Sequence, residues 1–318
     1  MKKNAFLTCL SAMLLLVARP SAQDRAFVTI DPTSSALTRA FGINPRGDVV
    51  GLFMTVDGVT HGFLFKSGRY TTLDAPGSIR TNALAINPRG QIAGRFDTRT
   101  GNKVVAHGYI YTNGLFETVD HPSAAGFTVL TDITPTGDIA GRYQSADGSF
   151  HGFTRVNGEW TTIDHLDAGG NPDMGPQGIQ GMAMNENGLV AGIYQDKKLV
   201  FHTFILENGV YTTIDPPGSN SAGGGGGVLH VNPEGTVAGG IFTLPTDVVG
   251  SCSCSGHGFL YNAGTWTTFD FTDGTNPDGT PRHAQLTTIC GINPQGEVVG
   301  IYIDHNNVTH GYLGPAGL

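Results

Sequence analysis

Five histidines in this chain are each followed thirteen positions later by an aspartate: His61 and Asp74, His107 and Asp120, His151 and Asp164, His202 and Asp215, His257 and Asp270. A histidine held by a carboxylate is the polarised general base of many hydrolases. Midway through each interval lies a turn dipeptide: Ser67-Gly68, Asn113-Gly114, Asn157-Gly158, Asn208-Gly209 or Ala263-Gly264. A two-residue hairpin turn there sets each His directly opposite its Asp on two antiparallel strands. Counted outward from the turn, the pair falls on a non-hydrogen-bonded rung, where side chains approach most closely. Catalysis needs one such dyad beside a nucleophile. Repetition in every hairpin favours a cross-strand pin instead.

A second motif alternates with the hairpin, from INPRGDVVG at Ile43–Gly51 and INPRGQIAG at Ile86–Gly94 to INPQGEVVG at Ile292–Gly300. Between them stand ITPTGDIAG at Ile133–Gly141, MNENGLVAG at Met184–Gly192 and VNPEGTVAG at Val231–Gly239. Asn-Pro-x-Gly suits a type I turn: Asn bonds forward, Pro presets φ, and Gly takes the left-handed bulge position. Each repeat then holds four antiparallel strands, designated A to D, with this turn joining A to B and the His–Asp hairpin joining C to D. The six turn glycines recur at intervals of 43 to 61 residues, a period that suits propeller blades.

The two ends complete the count. Ala26–Asp31 reads as an orphan D strand, and THGYL near the C-terminus as an orphan C strand carrying His310. His310 and Asp31 then form a sixth pair. The expected fold is all-β, a six-bladed β-propeller of four-stranded antiparallel blades, its ring closed by the N-terminal strand. Tyr70, Phe116, Trp160, Tyr211, Trp266 and Phe27 form one column on the D strands, which reads as packing rather than as a sugar-stacking surface.

These repeats resemble the HAF-type extracellular repeat family, which carries a His-Gly/Ala-Phe element beside Asn-x-x-Gly-x-x-x-Gly. The likeness runs from about Ala26 to Tyr312; His202-Thr203-Phe204 lacks the glycine, and Thr134 replaces the Asn of the third turn. The resemblance implies secretion and a repeat fold, and no particular activity.

Residues 1–22 read as a secretory signal, with Lys2 and Lys3 before an apolar run and small residues Ser21 and Ala22 after it. Residues 23–318 are expected to form one propeller domain, exported to an extracellular or periplasmic location, monomeric, with no membrane span in the mature chain. Without that leader the chain keeps 15 basic against 26 acidic residues, which argues against nucleic acid as a partner. Cys252, Cys254 and Cys290 remain. An insertion carrying the first two reaches Cys290, or Cys290 is buried and free; the spacing leaves both open.

The longer connections, Asp164–Gln177, Pro216–Gly227, Leu244–Ser255 and Phe271–His283, all fall on one face of such a ring. Long loops on a rigid scaffold are where binding usually resides. At that mouth the candidate ligand contacts are Arg39, Arg80, Asn82, Gln180, His230 and His283, a neutral-to-basic set. Asp167 and Asp173 in one loop, and Asp273 and Asp278 in another, are candidate oxygen ligands for Ca²⁺; Asn-Pro-Asp-Gly is also an ordinary turn, and no other cofactor is expected. No G-x-S-x-G, H-E-x-x-H, Walker or dinucleotide fingerprint occurs. The expectation is a non-catalytic binding or scaffold propeller for a glycan or a secreted or cell-surface protein. A Ca²⁺-dependent hydrolase or lactonase at the same mouth is the alternative, and a purely structural cell-surface module the third.

Overall fold

The computed structural model describes residues 27–169, 178–198, 200–216, 230–243 and 255–316. The leader, Asp173, Cys252, Cys254 and most of three insertions lie outside them. Every regular element among the described residues is a β-strand. The first repeat comprises β2 (Ser35–Ile43), β3 (Val49–Thr55), β4 (Thr60–Lys66) and β5 (Arg69–Leu73), and the second β6 (Arg80–Ile86), β7 (Ile92–Thr100), β8 (Lys103–Thr112) and β9 (Leu115–Thr118). Next come β10 (Thr128–Ile133), β11 (Ile139–Gln144), β12 (Phe150–Val156) and β13 (Glu159–Ile163), then β14 (Ile179–Met184), β15 (Val190–Gln195), β16 (Phe201–Glu207) and β17 (Val210–Thr213). The fifth repeat holds β18 (His230–Val231), β19 (Val237–Thr243), β20 (Ser255–Asn262) and β21 (Thr265–Phe269). Last are β24 (Leu286–Ile292), β25 (Glu297–Ile303) and β26 (Thr309–Pro315), against which the first strand of the chain, β1 (Val28–Ile30), pairs antiparallel, Thr29 opposite Tyr312. Within each repeat the strands pair antiparallel in chain order. The sequence did not announce β22 (Thr272–Thr275) and β23 (Pro281–His283), a small hairpin inside the last insertion.

The C–D turns have the dihedrals that two-residue hairpins need. Both central residues are left-handed in all five, from Ser67 (φ 50°) and Gly68 (φ 77°) to Ala263 (φ 46°) and Gly264 (φ 87°). Three turns place Asn at the first position, which tolerates that conformation; Ala263 does not share the tolerance. Ala263→Asn is therefore expected to stabilise the protein by about 0.5–1 kcal/mol, read as a higher denaturation midpoint in urea. No gain would contradict the turn assignment.

The A–B turns use Asn twice. Asn87 Oδ1 accepts the backbone N–H groups of Arg89 and Gln91, both at 3.0 Å, while Nδ2 donates at 3.0 Å to the carbonyl of Thr134 in the next repeat. Asn185 reaches the Asn232 carbonyl in the same way at 3.1 Å, and Asn293, in the last repeat, reaches the Asn44 carbonyl of the first at 3.3 Å. Forward bonding was legible in the motif. The sideways bond was not.

Between the layers, aromatic rings lie on bare backbone. Phe63, Tyr109, Phe153, Phe204, Phe259 and Tyr312, the third residue of each His-x-aromatic element, are buried. Phe63, Tyr109, Phe153, Phe204 and Tyr312 press on the last glycine of the A–B motif: a methyl group on Gly94 would sit 2.1 Å from the Asn82 carbonyl oxygen and 2.9 Å from the Tyr109 ring. The column expected to pack does so, with Trp160 5.1 Å from Phe153 and Tyr211 5.5 Å from Phe204, centre to centre.

One further position links neighbouring repeats, the residue after each D-strand aspartate. His121 lies flat on Tyr143 at 3.8 Å, His165 on Tyr194 at 3.9 Å, and Phe271 on Tyr302 at 4.0 Å. Both imidazoles are buried, and each Nδ1 accepts a backbone N–H at 3.2 Å, from Ser123 and Asp167 respectively. Burial lowers both pKa values from the ordinary 6.5. The folded state thus holds them neutral while the unfolded chain protonates them near 6.5, so their contribution is complete above that pH and is lost as pH falls through it. A drop in Tm between pH 7.5 and 5.5 is expected, and it should be smaller in the double variant His121→Phe/His165→Phe, since Phe271 already fills the same position. An unchanged slope in that variant would contradict the assignment.

Candidate functional site

All six His–Asp pairs form, with Nδ1 between 2.6 and 2.9 Å from a carboxylate oxygen, His310–Asp31 included. In the third repeat Ser145 Oγ lies 3.1 Å from His151 Nε2, with Asp164 at Nδ1. That is the order of a catalytic triad. Ser145, however, donates to Asp147 Oδ1 at 2.5 Å, so its proton points away from the imidazole. The same place beside Nε2 is held by Thr98 at His107, and by Asp196 and Asp304 at His202 and His310. A position filled by hydroxyl or carboxylate alike caps an imidazole; it does not make a nucleophile. Neither Ser145 nor Thr98 lines a described cavity.

A cavity of about 460 Å³ opens instead where the A strands begin. Its walls come from a shared irregularity. Five A strands each carry a β-bulge, whose unpaired residues are Phe41, Leu84, Thr131, Gln180 and Cys290, and all five line the cavity. A bulge re-aims one side chain out of the strand's alternation. In the fourth repeat the bulge sits two residues earlier relative to the turn Asn, so the unpaired residue is the polar Gln180 in place of Phe41, Leu84, Thr131 or Cys290.

The B strands add the charges. Register sets Leu52 opposite Arg39, Arg95 opposite Asn82, Arg142 opposite Val129 and Ile301 opposite Thr288. Arg95 donates to both oxygens of Asp97, at 2.7 and 2.9 Å, and Arg80 reaches the same carboxylate through Nε at 2.9 Å. Burial alone would raise the Asp97 pKa, but the two guanidinium groups hold it below the ordinary value. Arg142 donates to Gln180 Oε1 at 2.8 Å and lies 5.2 Å from the Phe150 ring centre. Burial brings its pKa down to about 10, assisted by the charge on Arg95. The cavity wall among the described residues carries no acidic side chain.

Of the six sequence candidates, Arg39, Asn82 and Gln180 meet at this cavity. Arg80 does not line it, because its guanidinium is committed to Asp97. His283 stands exposed at the end of β23, where its carbonyl accepts from His305 Nε2 at 3.0 Å. His230 lines a second, smaller cavity of about 160 Å³ onto which all six A–B turns converge. There its Nδ1 lies 3.7 Å from buried Asp132, whose pKa is raised by burial despite that imidazole. Sequence reasoning missed Arg95 and Arg142. Their signal was the position just after the last motif glycine, where the six repeats carry Leu52, Arg95, Arg142, Ile193, Gly240 and Ile301.

Of the candidate calcium ligands, Asp173 lies outside the described residues, and the other three have partners of their own. Asp273 Oδ1 accepts from Arg282 Nε at 2.9 Å, and Asp278 Oδ1 from Thr280 Oγ1 at 2.7 Å within the hairpin turn. Asp167 donates its N–H to His165. Among the described residues no three His, Cys, Asp or Glu side chains are grouped to hold a metal ion. Cys290 is a buried free thiol within the cavity wall, its pKa pushed up to about 11 by burial.

Neither a protein-family model nor a curated protein matches the sequence. Solved structures do. The lectin of Aleuria aurantia, described as having a six-bladed β-propeller fold and a novel fucose recognition mode, is 12% identical, with 90% of this chain and 99% of that chain covered at a TM-score of 0.50. AofleA from Arthrobotrys oligospora is 14% identical over 94% of this chain and 91% of its own, also at 0.50. XC5397 of Xanthomonas campestris, described as a gluconolactonase, is 11% identical over 93% and 91%, at 0.51. At such identities the likeness is one of fold, that of the six-bladed β-propeller.

Proposed function

We propose that this chain is a secreted, non-catalytic binding propeller of the HAF-repeat type, engaging a glycan through the mouth where its A strands begin. Its six four-stranded repeats are the blades, and β1 closes the ring. The pairing of β1 with β26 and the Asn293-to-Asn44 bond, which joins the last repeat to the first, support closure. The observation that carries the binding reading is the cavity itself: bulge-directed side chains, hydrogen-bonding groups over an apolar floor, and, among the described residues, no carboxylate wall. Such a site suits a small polar ligand. Arg39, Arg95 and Arg142 suit a dication poorly, so no hydrolytic step is routed through Ca²⁺ there. The fold is shared with a fucose-recognising lectin, which makes a glycan the first class to test, ahead of a secreted protein. A glycan array with the mature protein, run beside a lactonase and esterase panel, tests this. Binding without turnover is the expected result; turnover of any ester or lactone abolished by Asn82→Ala would overturn it.

A further inference from the structure

The larger cavity holds more positive charge than the protein balances. Asp97 is shared between Arg80 and Arg95. Arg142 has the neutral Gln180 oxygen and two aromatic faces as partners, and Arg39 stands at the mouth. Among the described residues, no carboxylate forms an ion pair with either Arg142 or Arg39. This occurs in a chain whose formal net charge is −8. A desolvated cation without a counter-charge is costly to keep, and guanidinium offers a planar fork suited to a carboxylate.

A second orphan lies beside it. Asn82 Oδ1 is buried and accepts no hydrogen bond, although Asn82 lines the same cavity. An acceptor left open next to open cations calls for a ligand that brings both an anion and an O–H donor. Leu84 and Val129 supply an apolar wall between them, suited to the C–H face of a sugar ring.

We propose that this cavity binds a uronic-acid residue of a glycan. Its carboxylate meets Arg142 with Arg39 at the entrance, and a ring hydroxyl donates to Asn82 Oδ1. The assignment rests on the glycan reading above and specifies which sugar class that reading requires.

The test is calorimetric titration of the mature protein with D-glucuronate and D-galacturonate, their methyl esters, D-glucose, D-galactose and benzoate. The acids should bind about tenfold or more tightly than their esters, and more weakly as salt is raised. Arg142→Gln should erase the acid–ester difference, and Arg39→Gln, at an exposed position where folding is not in question, should reduce it. Esters binding as well as acids, or a preference intact in both variants, would overturn the assignment. Neutral sugars binding as tightly as the uronates would overturn it while leaving the glycan reading standing. Benzoate matching the uronates would remove the glycan reading too.

Discussion

Removing the chain through Asp31 is expected to lower Tm by about 10 °C or more. Ile30 is fully buried, and Phe27 packs against Phe269 at 5.0 Å and Phe271 at 5.6 Å. Losing one buried aliphatic and one half-buried aromatic costs about 4–6 kcal/mol, and each kcal/mol is worth about 2–4 °C in a chain of this size class. The truncation also strips Asp31 from His310 and uncovers the outer edge of β26, a template for pairing between molecules. Concentration-dependent aggregation should accompany the drop. Differential scanning calorimetry of the truncated and mature chains decides it: an unchanged Tm would mean that β1 is an ordinary terminus and would contradict the proposed ring closure.

Gly94→Val should be comparably damaging, at about 3 kcal/mol or more. The first added carbon would meet the Asn82 carbonyl oxygen at 2.1 Å, and a carbonyl belonging to the neighbouring strand cannot rotate aside as a side chain does. The two strands would have to separate, and Tyr109, whose hydroxyl donates to that carbonyl at 3.1 Å, would lose both its seat and its partner. Urea unfolding should give a lower midpoint, and binding at the mouth should weaken with it, because Asn82 and Arg95 flank this glycine in the register. A variant with parental stability would contradict the ring-on-glycine packing.

Those two cases mark what the sequence made legible. Turn chemistry reads locally, so Asn-Pro-x-Gly, the two-residue hairpins and the opposed His–Asp pairs could all be placed from spacing alone. The orphan strands at the two ends gave the pairing of β1 with β26. The β-bulges were not legible, because a bulge is a register event between two strands and leaves no mark in one of them. Phe41 and Thr131 carried no signal in the sequence, and with Cys290 they form cavity wall. Arg80 and Arg95 illustrate the same limit. Arg80 was a candidate contact in the sequence and Arg95 was not, yet both bond one shared carboxylate, Asp97, and it is Arg95 that lines the cavity. His230 stands two residues before the turn Asn232, at the turn end of its strand, and so comes beside Asp132 rather than to the larger cavity.

The chemistry and the fold meet in one place. Repeats supply a rigid wall, bulges turn one residue per strand inward, and the position after the motif glycine adds two arginines that only the second and third repeats carry. The proposed binding is therefore polar and lopsided, directed to the side of Asn82, Arg95, Arg142 and Gln180. Hydrogen exchange measured by mass spectrometry, comparing the mature protein with and without a saturating array-derived glycan, tests this most directly. The account predicts added protection in peptides covering 80–84, 128–131 and 179–182, with little change along the D strands. Protection confined to the outer aromatic column around Tyr70 and Trp160, with none where the A strands begin, would contradict it.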